Sequence, residues 1–478
     1  MSKSTAPSLG QNIPAILTIA VAMLLVMLDA TVINVAVPTL QTVFKTTLPT
    51  IQWAISGYTL ALAAVTPLAG WLADRWGAKR IFIGAIIWFT LCSVACSWVP
   101  TIRWLIVLRV LQGLAGGLIG PIGMALSWQI IPSEKRGALM GLLGLPLVMA
   151  PILGPILSGW LLAHATWHAI FFINLPVGGI AALLVAYYLP HTSRQPQARL
   201  DVGGAFLSPF AFTTLIYGVH RLGNTAVTNP ITLACLLLGT VALLGFIILE
   251  LRQTEPLMAL TAFKSGRFTR GIIVSWLNQI VLFGTTLLVP LFLQTAKGLS
   301  ALHAGEMMAP QAMAAFIGMI LGGRLLDRWG VRAAAIPGVT CMFGAIFTLT
   351  QLTAHTTTMA LLGSITLLGF GQGLTMMQIS TYNMSMAPRA VTSRLTPLIN
   401  GAMQIVNSLA VVLLTNALAT NLRHPLTGAL SSPLTHTISA YATTFRLPLA
   451  LLLVSWLLVW TLTRQPAKAT SPSQPTTD

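Results

Sequence analysis

The chain has 478 residues, of which 55% are hydrophobic and only 7% charged, and its mean hydropathy is +0.82. A water-soluble domain carries roughly 25% charged residues, so this composition excludes a soluble enzyme, a nucleic-acid binder and a disordered chain. The net charge of +17 arises from 26 Lys and Arg against 9 Asp and Glu; acids are the scarce group, and where the bases lie decides what the charge means.

Apolar runs near 20 residues, the length that crosses about 30 Å of hydrocarbon, recur along the whole chain. In order they are 14–37, 52–71, 81–98, 104–126, 138–160, 168–189, 203–222, 231–250, 271–294, 304–323, 333–351, 358–378, 398–420 and 445–463. They predict an all-α integral membrane protein with fourteen transmembrane helices. An even number puts both termini on one side. That side then holds Lys3, the loops near 75–80, 135–136, 194–199, 252–270, 324–332 and 389–394, and the tail Arg464 and Lys468. Most of the Lys and Arg fall there, which makes it cytoplasmic. The positive charge is thus a topology signal and implies no nucleic acid. Trp71, Trp98, Trp104, Trp160 and Trp167 lie near span ends, as an interfacial belt requires. Residues 464–478 are rich in Ser, Thr and Pro and read as a disordered tail.

The first span carries Asp29, about 10 Å below its outer end. A carboxylate inside a bilayer is costly and is functional by default. Arg109, on the fourth span, lies at a similar depth, so the two are expected to face a common cavity. Burial and a neighbouring guanidinium act on a carboxylate's proton affinity in opposite senses. The pair is read either as a proton- or substrate-handling site or as a static tie between helices. Asn34 is about 140° around the first helix from Asp29 and off its face; with Gln112 it is a candidate for the substrate cavity. Gln112 shares a face with Arg109. Gly113 with Gly117, and Gly116 with Gly120, form small-xxx-small pairs that allow close helix approach. The fifth span contains Gly144, Pro146, Pro151, Gly154, Pro155 and Gly159; its prolines bend it, as a packing kink or as a hinge between two access states.

The later spans hold Glu306, only about three residues inside its run, as a second proton-site candidate or a hydrated rim residue. Otherwise they offer neutral amides: Asn278, Gln279, Gln311, Gln372, Gln378, Asn400 and Gln404. These form either a permissive substrate wall with nearby methionines or helix–helix hydrogen bonds. Cys92, Cys96, Cys235 and Cys341 read as small buried hydrophobes. No phosphate loop, metal-protease signature or catalytic triad is present, so neither a cofactor, a metal nor an enzyme activity is expected.

The segment Gly70-Trp-Leu-Ala-Asp74-Arg75-Trp-Gly77-Ala-Lys79-Arg80 recurs in part as Gly323-Arg-Leu-Leu-Asp327-Arg328-Trp-Gly330-Val-Arg332. Leu111-Gln112-Gly113-Leu114 is echoed by Gly371-Gln372-Gly373-Leu374. The chain therefore divides into a six-helix bundle over 1–190, an inserted pair over 203–250 and a second bundle over 271–463. Two related halves around a midplane site are the layout of a secondary transporter. In each half the acid–base pair beside a helix end reads as a breakable latch, or as a solvated turn.

These segments together resemble the major facilitator superfamily, in its 14-helix drug:proton antiporter branch. The 70–80 loop matches the superfamily's loop signature, and Arg109-Val-Leu-Gln112-Gly113 matches its helix 4 signature. Gly154-Pro155 with Gly159 is similar to the antiporter signature, and Leu28-Asp29 through Pro38 to the branch's helix 1 signature. Trp167 through Pro176 resembles a further branch segment. The resemblance implies proton-coupled export of amphipathic drugs by alternating access, in a bacterial plasma (inner) membrane. Its partners would be small-molecule substrate, protons and the lipid bilayer, with a periplasmic adaptor as a further candidate. A dedicated exporter of one metabolite or siderophore is the alternative.

Overall fold

The computed structural model describes residues 9–132, 135–190, 201–222, 229–253, 257–299, 301–386, 392–423 and 433–462. The predicted tail and the 194–199 loop lie outside the described residues, as do the side chains of Asn34 and Pro155. Among the described residues there is no strand. A bilayer offers backbone groups no hydrogen-bonding water, so apolar runs satisfy them internally as helices. The helices are α1 Leu9–Phe44, α2 Leu48–Val65, α3 Ala69–Trp76, α4 Ala78–Cys96, α5 Ile102–Ile130, α6 Arg136–Leu143, α7 Leu145–His164, α8 His168–Phe172 and α9 Asn174–Tyr188. They continue as α10 Val202–Leu222, α11 Pro230–Arg252, α12 Gly266–Thr295, α13 Ala301–Trp329, α14 Val331–Leu349, α15 Thr358–Ser385, α16 Thr392–Arg423, α17 Pro433–Thr444 and α18 Arg446–Val459.

Among the described residues, 13 helical runs are long and apolar enough to cross a membrane. The expected fifth span is not among these runs; there the chain forms α6 and α7. The break falls at Gly144, whose N–H bonds the Gly141 carbonyl at 3.1 Å, and not at Gly154-Pro155. Pro146 then opens α7, where its missing N–H is harmless. The last span also differs from expectation. It runs Leu434–Val459, so Arg446 lies within the helical run, at the α17–α18 break, and not at its outer end. Many large apolar side chains face outward, such as Leu183, Phe206 and Val241, the reverse of a water-soluble surface. Trp98, Trp104 and Trp160 are exposed at helix ends. Trp167 is buried, edge-on to Phe44 at 5.3 Å, and belongs to the packing.

Glycines set the closest helix contacts. On α5, a Cβ at Gly113 would lie 2.3 Å from the Tyr58 carbonyl oxygen, and one at Gly117 2.4 Å from that of Leu62. On α15, Gly369 and Gly373 stand in the same relation to the carbonyls of Gln311 and Ala315, at 2.0 Å each. Gly116 approaches the Tyr58 hydroxyl, but Gly120 has nothing within 4 Å, so only one member of the second expected pair makes a close approach. The packing also corrects the repeat's register. Gly113 and Gly117 match Gly369 and Gly373, so the Gln112 and Gln372 echoes sit one helical turn apart in the two halves.

The loop signature folds alike in both places. Gly77 and Gly330 adopt φ of 92° and 84°, a region that L side chains enter only with strain. Their N–H groups bond the carbonyls of Ala73 and Leu326, four residues back. We call this the signature end of the molecule. There α3 packs against α16, and α13 against α6, so each signature helix touches the other half. The inserted helices α10 and α11 pack on one another, and α10 reaches α2 and α16. Trp53 stacks on Tyr217 across the α2–α10 contact at 5.7 Å.

Candidate functional site: a buried ion pair on α1 and α5

Asp29 and Arg109 meet as an ion pair, 5% and 0% exposed respectively. The Arg109 Nη1 donates to Asp29 Oδ2 and to Gln112 Oε1 at 2.9 Å. Gln112 Nε2 donates in turn to Asp29 Oδ1 at 3.0 Å. Asn174, at the start of α9, donates to the same oxygen at 2.7 Å. Its amide also reaches Ser93 Oγ on α4 at 2.8 Å, and Ser93 donates to the Phe171 carbonyl at 2.9 Å. On the other flank Arg109 Nε donates to the Ala54 carbonyl of α2 at 3.1 Å. Its guanidinium lies 4.2 Å from the centre of the Tyr58 ring, within cation–π range. One carboxylate thus ties together α1, α5 and α9, and its cationic partner reaches α2.

Sequence reasoning placed Asp29, Arg109 and Gln112 but did not select Asn174, Ser93 or Tyr58. An amide within an otherwise apolar span was the available signal for Asn174. Asn174 contributes a donor that a charged acceptor strengthens: bonds to an ionised group are roughly twice as strong as neutral ones. Arg109 Nη2 and the Tyr58 hydroxyl are buried without a hydrogen-bond partner. The site therefore keeps spare donor capacity beside the carboxylate.

The antiporter-like segment of α7 packs directly on the helix that carries Asp29. A Cβ at Gly154 would come 2.1 Å from Thr31 Oγ1. Thr31 donates to the Ala150 carbonyl at 3.1 Å, and Ser158 to the Val32 carbonyl at 2.9 Å. Gly159 is exposed with nothing within 4 Å of its would-be Cβ, so it makes no such approach.

Glu306 lies elsewhere, exposed in the second turn of α13. The second half's amides are engaged mostly within the protein. Gln311 Nε2 donates to Gln372 Oε1 at 3.1 Å, Gln378 to the Met319 carbonyl at 3.1 Å, and Ser455 to Asn278 Oδ1 at 2.9 Å. Asn400 turns back to its own helix, at the Thr396 carbonyl. Gln404 accepts from Asn407 at 3.3 Å, and Gln279 is buried.

At the signature end, Gly70 is buried, Asp74 and Arg75 half-buried, and Arg80, Asp327 and Arg328 exposed. The basic residue between Gly77 and Arg80 has a role that spacing did not reveal. Lys79 is buried, and its ammonium donates to the Ala186 carbonyl at 2.8 Å and to that of Leu189. Arg332, at the matching place of the second half, donates to the Leu462 carbonyl. Each signature loop thus caps the carbonyl end of the last helix of its own half, where a cation also complements the helix dipole.

The Major Facilitator Superfamily model matches residues 19–415. The MFS-type transporter YhcA of Bacillus subtilis is 32% identical over 84% of this chain and 75% of its own length. A multidrug resistance protein B homolog of Mycobacterium tuberculosis (strain ATCC 25618 / H37Rv) is 30% identical over 83% of this chain and 74% of its own. Among solved structures, the proton:xylose symporter XylE superposes with a TM-score of 0.68 over 95% of this chain and 96% of that one. At 14% identity that likeness bears on the fold alone. With helices long and apolar enough to cross a membrane repeatedly, the chain belongs to the Major Facilitator Superfamily, as a multi-pass membrane transporter and not an enzyme.

Proposed function

We propose that this transporter exports amphipathic small molecules in exchange for protons, with Asp29 as the proton-binding group. The observation that carries the reading is the burial of a single carboxylate in a network of three side-chain donors on two further helices. Its charge is what holds Arg109, Gln112 and Asn174 in place. A proton on Asp29 removes that charge and halves the strength of the bonds it accepts. Arg109 then keeps Gln112, the Ala54 carbonyl and the Tyr58 face. The tie between α1, α5 and α9 loosens, and α7, seated on Thr31 through Gly154, moves with α1.

In this reading the 1–190 and 271–463 bundles rock about a central cavity, and the 203–250 pair fills the gap beside them. The loops around Asp74 and Asp327 latch the signature end, which is cytoplasmic, as are both termini. A bacterial plasma membrane is the setting. Both Asp29 oxygens are already engaged, which supports a proton carrier over a direct contact with substrate. The multidrug-resistance relative supports a drug-like substrate, and the acid in an otherwise neutral interior favours a cationic one. A periplasmic adaptor is a further proposed partner.

Inverted vesicles with an imposed pH gradient test this. Addition of amphipathic cations is expected to release protons through the wild-type protein and not through Asp29→Asn. A response in Asp29→Asn equal to wild type overturns the proton site. A response to one metabolite and to no drug replaces the broad exporter with a dedicated one.

A further inference from the structure

A second pair of acids is buried away from Asp29, at the signature end of the inserted helices. Asp201 immediately precedes α10. Its Oδ1 accepts from the Gly204 N–H at 3.1 Å and from Gln253 Nε2 at 3.2 Å. Glu250 lies in the last turn of α11 and its Oε1 accepts from the Met258 N–H. Asp201 is 7% exposed and Glu250 2%. The remaining oxygens, Asp201 Oδ2 and Glu250 Oε2, are both buried without a partner. They converge on one point: a Cβ at Gly204 would lie 2.4 Å from the first and 3.1 Å from the second.

Among the described residues no basic side chain is bonded to either carboxylate. The groups that act on Glu250 are Asp201 and the backbone N–H groups of Met258 and Leu257. Arg252 on α11 and Lys264 beyond it are exposed, and Arg394 on α16 offers its carbonyl, to the Ala259 N–H at 3.2 Å. Two ionised carboxylates in burial and in contact repel and lose hydration together, so such pairs retain a proton. One proton satisfies both orphaned oxygens with a single O–H···O bond.

We propose that Asp201 and Glu250 share one proton and form a second proton-binding site, on the inserted helix pair. The dyad joins the start of α10, the end of α11 and Met258. Leu257, Met258 and Ala259 are buried in the main core, and Ala259 is bonded to the first turn of α16. Loss of the proton leaves two facing charges at that junction and loosens the inserted pair from the second half. The titrating unit is the pair and not either residue alone. The proposal stands whether or not Asp29 carries a coupling proton.

The test uses the purified full-length protein in lipid nanodiscs. Infrared difference spectra across a pH titration are expected to show a protonated-carboxyl band in wild type. That band persists in Asp29→Asn and is lost in Asp201→Asn and Glu250→Gln. An amide at either position still donates to the partner carboxylate, so both variants are expected to fold. The wild-type melting temperature falls as rising pH removes the band, whereas the melting temperature of Asp201→Asn stays flat. If neither variant folds, wild type and Asp29→Asn decide: a band lost entirely in Asp29→Asn, or a melting temperature that ignores the band's disappearance, overturns the proposal. So does sodium or potassium restoring the melting temperature at high pH, which makes the dyad a cation site.

Discussion

The α2–α5 contact of the first half and the α13–α15 contact of the second are built on the same glycine spacing against the same carbonyl positions. Around that shared frame the polar residues differ. In the packing register, Arg109 and Gln112 are matched by Ile365 and Leu368, both fully buried, and Tyr58 is matched by Gln311. A frame is a matter of close approach, which both halves need. Charge is expensive in a membrane interior, and here one half alone carries a buried, charged centre among the described residues. Between the two halves, the difference favours the first as the seat of the proposed coupling proton, and the second has neutral amides bonded to one another and to backbone carbonyls.

The largest effect expected from breaking this asymmetry comes from Asp29→Asn, which keeps the shape and removes the titratable group. Substrate-induced proton release in inverted vesicles falls to background while the protein still folds. Arg109→Leu is expected to harm folding more than transport chemistry. It strands the Asp29 carboxylate in burial, a loss of about 3–5 kcal/mol for a broken buried pair. Adding Asp29→Asn to Arg109→Leu recovers part of that loss in a thermal unfolding assay. An additive double variant would mean that the two charges do not depend on each other.

The glycines of α7 come next. Gly154→Ala drives a methyl group into Thr31, where overpacking costs about 1–3 kcal/mol, and it displaces α7 from the Asp29 helix. Gly159→Ala points into open space and stays within about 0.5 kcal/mol of wild type. Equal effects of the two would show that the α7–α1 contact is not what the Gly-Pro segment is for.

Scarcity made much of the site legible. With 9 acids in 478 residues, Asp29 stood out because it alone is deep within a span, and Arg109 followed from its depth. Asn174 did not, because amides are common in these spans and its contact with Asp29 joins residues 145 apart in sequence. Asp201 and Glu250 read as loop-edge acids, since apolar runs end beside them; only the packing of 257–259 into the core buries them. The Gln112–Gln372 echo gave two related halves but the wrong turn, because identity of letters is a weaker register than the glycines that touch. Likewise, counting prolines located a bend in the fifth span, but the break falls at Gly144, where Met319 of α13 leaves no room for a side chain.

The smallest effect sharpens the comparison from the neutral side. Gln311 and Gln372 meet through one hydrogen bond, and Gln311 Oε1 and Gln372 Nε2 are buried without partners. Removing only Gln372, as Gln372→Leu, leaves the Gln311 amide without its acceptor and costs about 1–3 kcal/mol for the unsatisfied group. Replacing both residues by leucine removes the unsatisfied group along with the bond, and such paired apolar replacement is nearly neutral. The double variant is therefore expected to melt at a higher temperature than Gln372→Leu alone, close to wild type. Proton release in vesicles should be unchanged in the double variant if proton handling resides in the first half. A double variant that folds normally and loses proton release would place part of that chemistry in the second half, and the asymmetry between the halves would then be one of charge alone.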